Sequence, residues 1–485
     1  MISRFCFVFV SLALLTQTKV RADQATSVTQ YGITWTFDKS YTVGKFITGD
    51  YWVVGPVKII SVDPAPAPSV APPNGTFKSR YGVTALIDDP RMRNGSMIVL
   101  KPDPNQGYDS RAKNYQPDLS VTFPCTLDVN RSIISTISNE TFPVTVLVSD
   151  LLWRGEKQSA VALKAAAILT CLDKEPPADA FRPPYTGTDK PIYEAKNIQW
   201  DLLPKLAAPP GATVPSWEQY EKYMERPWLD NIDSWMYQFT MPSDNQPIYG
   251  REWGRVTGIA SLMLDLDVPQ QQKEKLTYEM IQLGIDLQGQ AKNGRNWKGD
   301  GGHWTGRKWP ILFAGLMLGD KDLQTVPPET IFAEDQQTYY GHGFLGQTAL
   351  FQIVFHTVPL PPYQEKDPAT WDHDDQKSET YRITDSAAWS EEALAALLMK
   401  TKHLWNHDAF FDYCDSWMSK DDPFAAKRGA TPRPPQEGKT MDAFPDAMWN
   451  AYRQSASDQP GGTDNTKWVW QGNQGSYVPD PKDAN

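Results

Sequence analysis

The spacing of apolar residues changes its period near Ser216, and that change divides the chain. Up to residue 172 the apolar and aromatic residues stand in short β-branched runs: ITWTF, YWVVGPVKIISV, TALI, SMIVL and FPVTVLVS. Clusters of Pro, Gly, Asn and Asp such as DPAPAPSVAPPNG separate them, a pattern that predicts strands joined by turns. From Ser216 the period is about 3.6, which predicts helices. SWEQYEKYMERPWLDNIDSWMYQF, GREWGRVTGIASLMLDL, QQQKEKLTYEMIQLGIDLQGQ, GRKWPILFAGLML, DSAAWSEEALAALLMKTK, HDAFFDYCDSWMSK and MDAFPDAMWNAYRQSA read as successive helices. Asp385 or Ser386 supplies an N-cap. KQSAVALKAAAILTCL (157–172) fits either a helix or a last strand.

The expected architecture is multidomain. An all-β, sandwich-like unit spans 23–172 and an all-α unit spans 216–485. The proline-rich join 173–215 is held over both by its aromatic residues. Of the 18 Trp, 15 stand at or after Trp200. Helix pairs with long polar loops and no fixed sequence period suit a toroid of α/α hairpins better than a solenoid.

Residues 1–22 have the form of a secretory signal. Arg4 gives a positive start, FCFVFVSLALL is an apolar core too short to span a bilayer, and Val20-Arg21-Ala22 suits cleavage. No later stretch predicts a transmembrane helix, so a secreted or periplasmic product is expected. The formal net charge of -11 falls to about -14 once Arg4, Lys19 and Arg21 leave. That argues against a general binder of nucleic acid or membrane surfaces and confines any polyanion to a local basic site. Cys125, Cys171 and Cys414 remain after Cys6 leaves, with Cys125–Cys171 as the candidate bridge. Glycosylation sequons begin at Asn74, Asn94, Asn130 and Asn139. Neither CxxC, HExxH nor a P-loop occurs, and no metal or other cofactor is expected.

All six histidines fall between His303 and His407. The first lies in NGRNWKGDGGHWTGRKW (293–309), a cationic island with Arg295, Lys298, Arg307 and Lys308 against one acid, Asp300. His303 is read at the start of the following helix, whose dipole favours neutral imidazole and hence a general base. Gly299, Gly301 and Gly302 allow the tight bend that faces it to a cleft. TYYGHGF (338–344) offers Tyr340 and His342 in a glycine-flanked loop, and SETYRITDSAAW offers Tyr381 and Arg382. Arg382 either grips a carboxylate bidentately or pairs with Glu379 or Asp385. Arg251 and Arg255 share a helical face near Trp253. WDHDD (371–375) reads as a solvated loop without calcium-loop spacing. His403 and His407 read as packing residues, and His356 as buried in an apolar run.

GGHWTGRKWPILFAGLMLGD, YYGHGFLGQTAL, YRITDSAAWSEEALAALLM and NHDAFFDYCDSWM together resemble the α/α-toroid polysaccharide lyases, in particular alginate- and glucuronan-lyase-like families. The resemblance covers roughly residues 216–455, and GDYWVVGPV resembles an accessory β-domain found with such toroids. It implies β-elimination on an anionic uronan. A cation or donor neutralises the C6 carboxylate, a base removes H5, and an acid protonates O4. Arg251, Arg382, Arg307 and Asn293 are candidates for the first task, and His303 or a tyrosine for the second. Tyr340 or Tyr381 remains open for the third. Trp253, Trp297 and Trp304 are candidates for stacking on sugar rings, and His342 for contact with substrate. A glycoside hydrolase would need two opposed carboxylates, with Asp300, Glu252, Glu391 and Asp372 as candidates. A non-catalytic glycan-binding protein would explain the tryptophans equally well.

Overall fold

Most of the period-two segments assemble into one half-barrel sheet, while TALI and FPVTVLVS supply strands of two separate two-stranded ladders, 84–86 with 76–78 and 145–147 with 157–159. The strands of the half-barrel are β1 (Asp23–Gln30), β2 (Ile33–Lys45), β3 (Tyr51–Val54), β4 (Val57–Asp63), β5 (Ser96–Ile98), β6 (Cys125–Leu127), β7 (Arg131–Ser138) and β8 (Leu163–Leu172). Their order is β5-β7-β8-β3-β2-β4-β6, with β1 on β2, and all pairs are antiparallel except β8 with β3. The computed structural model describes residues 22–67, 92–140, 161–247, 250–355, 362–419, 439–457 and 459–471, with the strand pieces 76–78, 84–86, 145–147, 157–159, 358–359 and 476–479. The signal-like residues 1–21, Asn74 and His356 lie outside the described residues.

Where the sequence pointed to a sandwich, the layer against this sheet is the helical region itself. Ile134, Ala166 and Ile168 belong to a core shared with the helices. Their neighbours Ile133, Ala167 and Leu169 turn into the half-barrel with Trp35, Val53 and Leu127. A strand buried on both faces reads as an unbroken apolar run, which is why AAAILTCL suited helix and strand alike; it is β8. The β1–β2 turn places Tyr31 (φ 49) and Gly32 (φ 81) both at positive φ, the two-residue geometry that matches strand twist. Cys125, Cys171 and Cys414 are free thiols, so the expected Cys125–Cys171 bridge is not formed. Cys171 Sγ is packed under Gly55, 2.1 Å from where a Cβ would stand. Burial pushes the Cys125 and Cys171 thiols up, to about 11 and about 12.

Among the described residues ten α-helices follow: α1 (Trp217–Met224), α2 (Arg251–Leu264), α3 (Gln270–Lys292), α4 (Lys308–Met317), α5 (Lys321–Gln324), α6 (Ala333–Gln337), α7 (His373–Leu398), α8 (Lys402–Trp405), α9 (Asp408–Met418) and α10 (Ala443–Tyr452), and the region expected to be all-α also holds short hairpins, such as Thr338–Tyr340 with Ala349–Phe351. The longest pairings are α2 on α7 and α3 on α4. α1 starts at a Ser216 cap that accepts from Gln219 N and stops short of Pro227, because the residue before a proline avoids helical geometry. α7 starts well before the expected N-cap. Asp372 forms a capping box with Asp375, so Asp385 lies within the helix and is fully buried. No helix among the described residues is long and apolar enough to cross a membrane.

The join between the two regions is held by charge. Arg182 is fully buried and donates to Asp50 after β2 (2.7 Å) and to both oxygens of Asp286 on α3 (2.8 and 2.6 Å). Nearby on α3, burial pushes the Glu279 carboxyl up to about 9. A raised acid favours folding fully below its unfolded value, about 4.3, and loses that contribution as pH rises through its folded value. Glu279→Gln is therefore expected to flatten the fall in melting temperature between pH 5 and 9, read by calorimetry. A variant curve parallel to the parent's would remove Glu279 from the pH response.

Candidate functional site

The segment between α3 and α4 is built on one buried acid. Asp230 is fully buried. It accepts from Trp297 Nε1 (2.7 Å) and from Arg307 Nε and Nη2 (3.2 and 3.4 Å), with Arg295 Nη2 3.8 Å away. The Arg307 guanidinium lies 3.7 Å from the Trp253 ring centroid, and that of Arg295 4.4 Å from Trp304. Trp304 stacks on Tyr237 at 4.2 Å. Lys308 is bound to Asp335.

The cationic island thus faces inward, contrary to its reading as a groove for an anionic chain. Arg295, Arg307, Trp253 and Trp297 are 0 % exposed and Trp304 5 %, so these residues scaffold the site and present no ring or guanidinium to a ligand. The reason is two acids, Asp230 bonded by Arg307 and Asp233 bonded by Arg295, which make a buried arginine pair stable where unpaired charges would be expelled. The mixture of Trp and Arg was legible in the sequence; the remote counter-charge was not.

On this scaffold the loop Gly299–His303 gathers three elements. Gly301, at φ 59, donates to Val354 O (2.9 Å), and a Cβ on it would stand 2.7 Å from Cε1 of Tyr381 on α7. A Cβ on Gly250, just before α2, would stand 2.1 Å from His303 O. Each contact needs glycine, because the partner backbone or ring occupies the side-chain position. Arg251 follows Gly250, pairs with Glu252 at 3.0 Å and acts electrostatically on Asp385, one turn beyond Tyr381. His303 and Tyr381 are each partly exposed, and the His303 ring is edge-on to Tyr237 at 6.1 Å. His303 therefore lies on a glycine loop against which the Tyr381 ring packs and which the backbone just before Arg251 abuts. The helix dipole does not act on His303 as expected: α4 starts five residues later, at Lys308, and the dipole effect fades within the first turn.

No known protein family, curated protein or solved structure matches this chain.

The other candidates lie elsewhere. The Tyr340 hydroxyl donates to Asp412 on α9 at 2.6 Å, and burial and Asp412 raise its pKa. His342 is exposed in the same loop. Arg382 is buried against Glu379, with bonds of 2.8 and 2.7 Å, and lies over the Trp417 ring. The Glu379 alternative is the one observed, and it occupies the fork that would grip a substrate carboxylate. Asn293 caps α3, donating to Gly289 O at 2.7 Å. His407 is buried on Thr338 O (2.9 Å), and burial lowers its pKa; His403 and His373 are exposed. Among the described residues no group of three or more His, Cys, Asp or Glu is arranged to hold a metal.

Behind the glycine loop lie acids that the sequence reading passed over. Glu334 on α6 accepts from Gly306 N, and Glu392 on α7 lies against Gly254. Both are fully buried. Burial pushes both carboxyls up, and Glu334 raises Glu392 further. The signal was available: Glu391-Glu392 sits inside the apolar run AAWSEEALAALL, where acids have no solvent face. Of the carboxylates open to a hydrolase, Glu252 is bound by Arg251 and Arg255, and Asp372 caps α7.

Proposed function

We propose that the protein is an exported polysaccharide lyase that cleaves a uronic-acid polysaccharide, such as alginate or glucuronan, by β-elimination. The observation that carries this reading is the packing of the Tyr381 ring, and of Gly250 next to Arg251, on the Gly299–His303 loop. The reaction needs one base, one acid and one cation, and each is present by type. In this reading Arg251, buried and paired with Glu252, shifts from that acid to neutralise the C6 carboxylate and so acidifies H5. His303 takes H5; the electron pair forms the C4–C5 double bond, and the C4–O4 bond breaks. The Tyr381 hydroxyl gives its proton to O4. The proton gained by His303 and the one lost by Tyr381 then exchange with solvent, which restores both groups.

Of the two tyrosines, Tyr381 is favoured because it packs on the loop that carries His303, whereas Tyr340 bonds to α9. The same reading arranges the helices as an α/α toroid with the half-barrel as accessory domain, and the α2–α7 and α3–α4 pairings support it. The test is incubation with alginate, glucuronan and related polyuronates while ultraviolet absorbance is followed. A rise from unsaturated product is expected. New reducing ends without absorbance would make the protein a hydrolase, and binding without either would make it a glycan-binding protein.

A further inference from the structure

The glycine loop rests on one short helix. α6 has five residues, and three of its side chains accept from backbone N–H groups in or beside the loop. Glu334 Oε1 accepts from Gly306 N (2.5 Å), Gln336 Oε1 from Gly299 N (2.7 Å) and Gln337 Oε1 from Val354 N (3.1 Å). Val354 O in turn accepts from Gly301 N at 2.9 Å. Just before α6, Ile331 donates to Asn296 Oδ1 (2.7 Å) and accepts from Trp297 N (2.8 Å). Residues 296–306 form no helix or strand of their own. They are laced instead to 331–337.

Within this lacing, one anchor stands on each side of Asp300: Gln336 on Gly299, and Val354 on Gly301. The backbone has little room to move there, since a Cβ on Gly299 would stand 3.0 Å from both Gln337 and Val354. Gln337 serves two elements at once, because its Nε2 also donates to Asp385 on α7 at 3.4 Å. Gln336 serves the loop alone. It is 3 % exposed, and its Nε2 has no hydrogen-bond partner among the described residues. A buried donor without an acceptor costs stability, and departures of this kind gather at functional sites. What the side chain gains in return is its bond to the first residue of the loop that carries His303.

We infer that Gln336 is a positioning residue, whose amide oxygen holds Gly299 and so sets the His303 imidazole against the Tyr381 hydroxyl. This role rests on the lyase reading of the loop. Gln336 touches neither of the reacting groups and acts through the backbone between Gly299 and His303.

Gln336→Met removes the acceptor at nearly the same length, and Gln336→Glu keeps one in place. The first readout is amide hydrogen exchange of the full chain without substrate, which reports local opening. In Gln336→Met, exchange over 299–303 should quicken by about tenfold or more, the effect of a lost buried hydrogen bond. Exchange in α4 and α7 should match the parent, and Gln336→Glu should match it throughout. The second readout is polyuronate turnover. Gln336→Met should lose about 10²-fold in kcat, the effect of a misplacement of about 1 Å, with KM within a few-fold of the parent. Gln336→Glu should recover most of that loss. If Gln336→Met fails to fold, Gln336→Asn, which draws the acceptor back by one methylene, should give the same loop exchange and the same fall in kcat. Parent-like exchange over 299–303 in a folded loss variant would overturn the inference. Equal quickening in α4 and α7, with kcat per folded molecule unchanged, would overturn it as well, since that is the mark of a residue that serves folding alone. A parent without turnover on any polyuronate would instead sink the lyase reading, and exchange would then decide the anchoring of the loop by itself.

Discussion

His303→Ala is expected to lower polyuronate turnover, followed by ultraviolet absorbance, by about 10²–10⁴-fold, the span of a lost general base or acid. Tyr381→Phe should fall in the same range, because it removes the proton donor and keeps the ring that packs on Gly301. Tyr340→Phe should stay within a few-fold of the parent, since it loses only a surface bond to Asp412. Arg251→Lys keeps the charge and loses the fork, so its loss should fall between these. For all four variants, circular dichroism and melting temperature separate lost chemistry from lost fold. Full turnover in a folded His303→Ala would remove it as the base. Loss in Tyr340→Phe with retention in Tyr381→Phe would move the acid to the Tyr340 loop and dissolve the proposed constellation.

Arg182→Met should be the most damaging single change to the architecture. The guanidinium has 0 % exposure and holds Asp50 and Asp286, whose side chains are 5 % and 4 % exposed. Removing it strands two buried carboxylates in different regions, and breaking such a pair costs about 3–5 kcal/mol. Urea unfolding should show a midpoint well below the parent's. The triple variant Arg182→Met, Asp50→Asn, Asp286→Asn should recover much of the loss, because what destabilises is the orphaned charge and not a missing contact. An unchanged midpoint in the single variant, or no recovery in the triple, would show that the join is held by its apolar residues Phe181 and Tyr185 instead.

These expectations separate what could be read from the chain from what could not. Helix α3 was legible because QQQKEKLTYEMIQLGIDLQGQ carries its own periodicity, and α2, α4, α9 and α10 likewise. The start of α7 was misplaced: Asp372 and Asp375 cap it within WDHDD, a string read as a solvated loop because its acids also suit one. The residues of the proposed site were among those named from sequence. Their grouping was not legible, because Gly250, Gly301 and Tyr381 meet only when α2 and α7 pack on the loop before α4.

By itself, the sequence determined the two kinds of element and the proline-rich seam between them, since backbone periodicity is a local property of the chain. Tertiary structure alone decided which charges face inward. Arg307 and Arg295 are written in the chain as a cationic island, and Asp230 and Asp233, more than sixty residues earlier, turn them into a buried scaffold. Burial and pairing are long-range properties: an arginine is exposed or enclosed according to whether the fold brings a carboxylate to it.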